Sequence, residues 1–273
     1  STTTNSEEPL SKNARKRLLK MEQKDERKAK RKEEKKFRKE LRASRGDVDE
    51  ALTTTPAIAT TNAPRPLAER REAAWEMWRG FGSPRLVLAP MVNQSELAFR
   101  LLARQHGAGL TYTPMIHASQ FVASEVYRHD NFDEHASDRP LVVQFCGDEP
   151  HTLLAAARHV ASRCDAIDLN CGCPQAIARR GHYGAFLLDE PHLIEEIVKT
   201  LSTGLPVPVF VKMRLLPNAD GTGVDVPKTI QLAQRLEAAG ASLLTIHGRT
   251  RQQKCACAAD WAAIRTVKAS LGI

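Results

Sequence analysis

Three observations predict a parallel α/β barrel of the (β/α)₈ class with about six βα units present. From Leu67 onward, short apolar runs alternate strictly with helical patterns, as a parallel sheet with helical crossovers requires. The side chains able to do chemistry fall at or near the C-terminal ends of several of these runs, the face where such barrels gather their sites. No G-x-G-x-x-G occurs after the first strand, which argues against an open dinucleotide-binding sheet.

The elements follow in order. Strands are expected at Leu86–Pro90, Leu110–Pro114, Leu141–Gly147, Ala166–Gly172, Val207–Leu215 and Ser242–Gly248. These runs are apolar and rarely alternate in polarity, as expected when both faces are buried. A short helix is expected at WEMWRGFG, and helical patterns lie near 95–106, 117–125, 150–163, 190–203, 226–240 and 259–270. Six units are legible where a full barrel has eight. A six-unit barrel would expose apolar strand edges. The expectation is therefore a fragment or truncated product.

Residues 1–49 read as a charged extension, helical or disordered, and the Thr-, Ala- and Pro-rich stretch 50–66 as a flexible linker. Residues 67–273 form the partial barrel domain. Residues 11–45 hold ten Lys, seven Arg and six acidic residues, a net charge of +11 within a chain of +8, so the remainder sums to −3. Residues 12–42 lack Gly and Pro and carry no continuous apolar stripe, which suits a solvated helix of roughly 45 Å at about 1.5 Å per residue. Such a segment is a solubilising extension, a nuclear-import signal or an arm that contacts RNA phosphates.

No apolar run approaches the roughly 20 residues that span a bilayer, and the N-terminal residues lack a secretory pattern. A reducing cytoplasmic or nuclear setting without disulfides is expected for the six cysteines. Cys171-x-Cys173 and Cys255-x-Cys257 have one-residue spacing, unsuited to the Cys-x₂₋₄-Cys knuckles of structural zinc, so no metal is expected. Neither a glycosidase-like carboxylate pair nor a G-x-S-x-G elbow is present. The strand ends supply a thiol, an amine, an imidazole, guanidiniums and carboxamides, a set suited to an anionic redox cofactor.

The ordered runs LAPMV (88–92), QFCG (144–147), DLNCGCPQ (168–175), VKMR (211–214) and HGRT (247–250) resemble the tRNA-dihydrouridine synthases. Within them, CPQAIARRGHYGAFLLDEP (173–191) is most similar to the eukaryotic branch acting on D-loop uridines 16 and 17. The resemblance covers about residues 86–266 and leaves out the basic extension. It implies FMN-dependent reduction of the uracil 5,6-double bond in tRNA, with NAD(P)H as reductant and a monomeric full-length enzyme.

The resemblance makes Cys173 the acid that protonates C5, opposite the hydride delivered to C6. An ordinary thiol, with a pKa of about 8.5, carries its proton at neutral pH. Cys171 is read as a packing residue. For the cofactor, the resemblance assigns Pro90, Met91 and Val92 to contact with the flavin ring and Gln144 to its pyrimidine edge. It assigns Lys212 to the ring atoms where reduced flavin gathers negative charge, and His247 to the flavin or its phosphate. Asn93 and Asn170 are candidate uracil or flavin partners, and Arg179, Arg180 and Arg249 candidate RNA or substrate contacts. Two other readings remain: an FMN barrel oxidoreductase of a small pyrimidine, and a non-catalytic RNA-binding product that would hold FMN poorly.

Overall fold

The computed structural model describes residues 67–273 apart from Cys255. The expected extension and linker lie outside the described residues. Helix α1 (Leu67–Gly80) leads into β1 (Val87–Leu88), α2 (Leu97–Gln105), β2 (Leu110–Tyr112) and β3 (Ile116–His117). Helices α3 (Ala118–Ala123) and α4 (Glu125–Asn131) follow, then β4 (Leu141–Cys146), α5 (Pro150–Arg158), β5 (Ala166–Cys171) and α6 (Ala176–Arg180). A 3₁₀ segment (Gly184–Asp189) precedes α7 (Pro191–Gly204), β6 (Val209–Arg214), α8 (Val226–Ala238), β7 (Leu243–His247) and α9 (Trp261–Ala269).

All strand pairs are parallel, in the order β1-β2-β4-β5-β6-β7, with β3 beside the end of β4. Strands β2 and β3 pair with the beginning and end of β4, at Thr111↔Leu141 and Ile116↔Phe145. They form one barrel position interrupted around Pro114, whose ring removes a ladder donor. Six positions of a (β/α)₈ barrel are therefore filled among the described residues, each expected strand appearing in its place. The first is shorter than expected, because Pro90 ends its ladder and Val87 lies 45% exposed at the sheet edge. Among the described residues no helix is long and apolar enough to cross a membrane.

Both faces of β4 and β5 are buried, as expected, but toward the strand ends polarity alternates more than expected. One face carries Leu141, Val143, Phe145, Ile167, Leu169, Cys171, Val209, Val211 and Met213, which pack with buried residues of the surrounding helices. The opposite face begins with Leu110, Tyr112, Val142, Ala166 and Phe210, closed by Met77 and Trp78 of α1 and by Phe81 just after it. Beyond this apolar floor the same face becomes polar: Gln144, Asp168, Asn170, Lys212, Arg214, Thr245 and His247. The two-residue period of a strand separates these two faces.

Helix starts are set locally. Asp225 accepts from the Lys228 amide (2.9 Å) and Asp260 from that of Ala263 (2.8 Å), while Pro150 and Pro191 open their helices where a missing N–H is tolerated. Helix α2 is locked by a buried ion cluster. Arg100 and Arg104 both reach Asp138, at 2.7 and 2.8 Å, and Thr111 donates to the same carboxylate at 2.9 Å. Arg100 also donates to the Ser95 carbonyl (2.9 Å), and the Ser95 hydroxyl bonds both the N–H and the carbonyl of Met91. The loop after β1 is thereby tied to the core. An apolar cavity of about 660 Å³ lies between α1, β7 and α9 and contains none of the polar residues of the inner face.

Candidate active site

The polar inner face ends at the turn after β5. Asn170, nearly buried, directs its side-chain oxygen back to accept from the amides of Gly172 and Cys173, both at 3.0 Å. Its amide nitrogen donates to Gln144 Oε1 (2.8 Å), and Gln144 Nε2 donates to Asp168 Oδ2 (2.7 Å). A hydrogen-bonded line thus runs from a buried carboxylate across β4 and β5 to the main chain of Cys173. From β6, Arg214 Nε donates to the Gly172 carbonyl (2.7 Å) and its Nη1 to the Thr250 carbonyl (3.2 Å). The turn is held from both sides, and Cys173 is left half-buried.

The charges around it are set mainly by burial. Burial raises the Asp168 pKa to about 7, against the Gln144 hydrogen bond and the charge of Lys212. Asp168 Oδ1 is buried without a hydrogen-bond partner. Burial lowers the Lys212 pKa, opposed by Asp168 and reinforced by Arg214. His247 is pushed down to about 4, first by burial and then by Arg214, Lys212 and Arg249, so its ring is neutral at physiological pH. Asn170 and Lys212 are register neighbours, as are Arg214 and His247. The site therefore offers a desolvated ammonium and a neutral imidazole on one inner face, with a thiol on the adjoining turn.

Gln144, Asn170, Lys212 and His247 share that face, with Cys173 on the turn just beyond it. Gln144 is fully buried and engaged at both ends of its amide, donating to Asp168 and accepting from Asn170, so it braces the site from beneath. Pro90 and Met91 are half-buried at the end of β1, while Val92 and Asn93 are exposed, Asn93 in the left-handed region at φ 57°. Arg179 and Arg180 are exposed on α6, outside the inner-face network. Arg249 donates to the Cys257 carbonyl (2.5 Å), so part of its guanidinium is used in its own loop. Cys171 packs fully buried on the outer face.

Asp168 was missed as a site residue, and Arg214 was noted as a strand-end guanidinium but given no role. Each lies two residues from one that was identified, Asn170 and Lys212, and strand periodicity alone would have found them. His182 was also missed, since its partners lie in separate segments.

Fold and site together define a partial (β/α)₈ barrel with a thiol-bearing polar centre at the C-terminal ends of its strands. Residues 87–273 match the family described as dihydrouridine synthase (Dus), and the chain belongs to that family. It is 50% identical over 204 residues to the Mus musculus protein named tRNA-dihydrouridine(16/17) synthase [NAD(P)(+)]-like, covering 73% of this chain and 42% of that protein. Against the Saccharomyces cerevisiae tRNA-dihydrouridine(16/17) synthase [NAD(P)(+)], identity is 46% over 204 residues, 74% of this chain and 46% of the yeast protein. A Homo sapiens tRNA-dihydrouridine(20a/20b) synthase [NAD(P)+]-like protein is 39% identical over 189 residues, 68% of this chain and 57% of its own length. The chain spans about half the length of these relatives.

Proposed function

We propose that this chain carries the catalytic centre of an NAD(P)H-dependent enzyme that reduces uridines in the D-loop of tRNA to 5,6-dihydrouridine. The observation that carries the reading is the fixed thiol: Asn170 holds the turn of Cys173 beside the inner face bearing Lys212 and His247.

The residues present fit FMN. Pro90, Met91 and Val92 supply apolar surface at the end of β1, Lys212 a partly desolvated positive charge, and His247 a neutral ring able to donate or accept. When bound, reduced FMN supplies the hydride for C6 of the uracil ring. Cys173 gives its proton to C5, so that the ring gains two hydrogens and the sulfur is left as thiolate. Lys212 stabilises negative charge where the flavin gathers it. Asn170 and Arg214 keep the thiol in place by holding the backbone on either side of Gly172. Arg179 and Arg180, exposed just beyond the Cys173 turn, are suited to RNA phosphates, and the basic run within residues 11–45 adds sequence-independent attraction for the RNA backbone.

The test supplies the FMN-loaded protein with NADPH and unmodified tRNA and measures flavin reduction and dihydrouridine separately. Cys173→Ala should retain flavin reduction and lose dihydrouridine formation. Equal loss of both steps would overturn the acid role. NADPH consumption with free uracil or dihydroorotate, but not with tRNA, would overturn the substrate.

A further inference from the structure

His182 belongs to none of the interactions above, yet its imidazole joins two segments of chain. Nδ1 lies 2.6 Å from Asp148 Oδ2, in the turn after β4, and Nε2 lies 2.6 Å from Glu190 Oε1, the residue that precedes α7. A neutral imidazole has one N–H and can donate to only one of these carboxylates, whereas an imidazolium serves both. The hydrogen bonds to Glu190 and then Asp148 raise the His182 pKa above the ordinary imidazole value, outweighing the small desolvation that opposes them. Its backbone is at φ 52°, an uncommon conformation for a residue with a side chain, so the turn that aims the ring is held by its surroundings.

The chain between His182 and Glu190 passes over the Cys173 turn. Tyr183 meets the His117 ring edge-on at 5.4 Å. The Ala185 amide donates to the Cys173 carbonyl (3.0 Å). Farther along, Arg251 donates to the Ala185 carbonyl (3.0 Å) and pairs with Asp189 at 2.7 Å. The segment is thus closed at both ends by one imidazole and braced in its middle by one guanidinium. The charged or titratable groups around this region are Asp148 and Glu149 after β4, Cys146 at its end, His117 from β3, Tyr127 from α4, Cys173 and Tyr183, Arg179 and Arg180 on α6, and Glu190 with the Asp189–Arg251 pair. Asp148 also acts on His117, whose own pKa is lowered by burial and partly restored by that carboxylate.

We propose that His182 is a positioning residue for Cys173, a pH-sensitive latch whose imidazolium fastens residues 183–189 over the thiol's turn and releases one end of them when it loses its proton. The functional weight of the latch rests on the reading of Cys173 as the catalytic acid. Because the folded pKa is raised, the stabilisation is complete below the ordinary imidazole pKa and is lost as pH climbs through the higher folded value. The latch is therefore shut at mildly acidic pH and opens as the solution becomes alkaline. Arg251 confines the loosening to the His182 end of the segment.

Hydrogen exchange of the amides in residues 183–189 tests this without flavin or tRNA. Rates are normalised to the unstructured rate at each pH, from about pH 6 to about pH 9, across the imidazole range. In the native protein, protection should fall roughly three- to tenfold across the window, the worth of one hydrogen bond. His182→Arg, whose guanidinium stays charged and can donate to both carboxylates, should hold protection constant. His182→Ala should exchange fast throughout. Alkylation of Cys173 by iodoacetamide, taken as the ratio of native protein to His182→Arg at each pH, should rise in step. Constant protection in the native protein, or a His182→Arg curve that follows it, would overturn the latch. Either result leaves the acid role of Cys173 standing, since that depends on the separate Cys173→Ala measurement.

Discussion

Gly184 lies directly against the main chain of Cys173. A Cβ built on it would stand 2.7 Å from the Cys173 carbonyl oxygen and 3.0 Å from its Cβ, and the residue sits at φ 72°. No side chain fits there, and the backbone conformation favours glycine in any case. The thiol's turn and the 3₁₀ segment can approach this closely because position 184 has nothing to interpose.

Gly184→Ala should therefore do more than strain one residue. The left-handed conformation costs about 1 kcal/mol, and relief of the backbone clash must move the Cys173 turn, for a total of about 2–3 kcal/mol. Urea unfolding gives the stability, and the alkylation rate of Cys173 reports the displacement. A variant of native stability and native thiol reactivity would contradict the packing described.

Asn170→Ala removes the acceptor shared by the Gly172 and Cys173 amides and leaves Gln144 Oε1 without its donor. The expected loss is about 1–3 kcal/mol, with faster modification of Cys173 as the turn loosens. Asn170→Asp retains the acceptor but loses the donor to Gln144, so its thiol should behave more like the native one. If both variants modified at the same rate, Asn170 would not be holding the turn.

The His247 ring should titrate near pH 4 by NMR, held down by burial and by the neighbouring cations. With the folded pKa below the unfolded one, its neutral form is favoured by folding. That preference costs nothing above the ordinary imidazole pKa and becomes a destabilisation as pH falls toward 4. Lys212→Met should move the midpoint upward and weaken FMN binding, measured by quenching of flavin fluorescence. An unmoved midpoint would separate Lys212 electrostatically from His247.

Asp138→Asn leaves Arg100 and Arg104 facing a neutral amide, Arg100 being almost fully buried. Breaking a buried pair of this kind costs about 3–5 kcal/mol. Denaturant midpoints should fall accordingly. A shift comparable to that of an exposed ion pair would show that Asp138 is dispensable to the core.

The strands were legible because each is a short apolar run bounded by turn residues, and the longer helices because their apolar positions recur at helical spacing. The pieces overlooked are the first half of α1, whose charged residues show no clear apolar face, and the brief β3, α4, α6 and 3₁₀ segment, none of these four long enough to display a period. Within the site, Cys173, Lys212 and His247 were visible as reactive groups at strand ends. What those groups are fastened to was not. Asp168 looks like an ordinary acidic residue until β4 places Gln144 beside it, and exposed His182 gives no sign of the carboxylates, 34 and eight residues away, that reach its ring. The bracing bonds of Gln144 were hidden for the same reason, since its partners on β5 are 24 and 26 residues away.

The bond from Arg214 to the Gly172 carbonyl spans 42 residues of sequence. During synthesis, therefore, Asn170 can begin to shape the turn as soon as the next few residues emerge, but Arg214 can complete it only after all of β6 has left the ribosome. Until then the thiol travels on a half-made scaffold, open to reagents and to wrong partners. Its reactivity toward a small alkylating agent is thus a clock for assembly, slowing when β6, the fifth barrel position, docks.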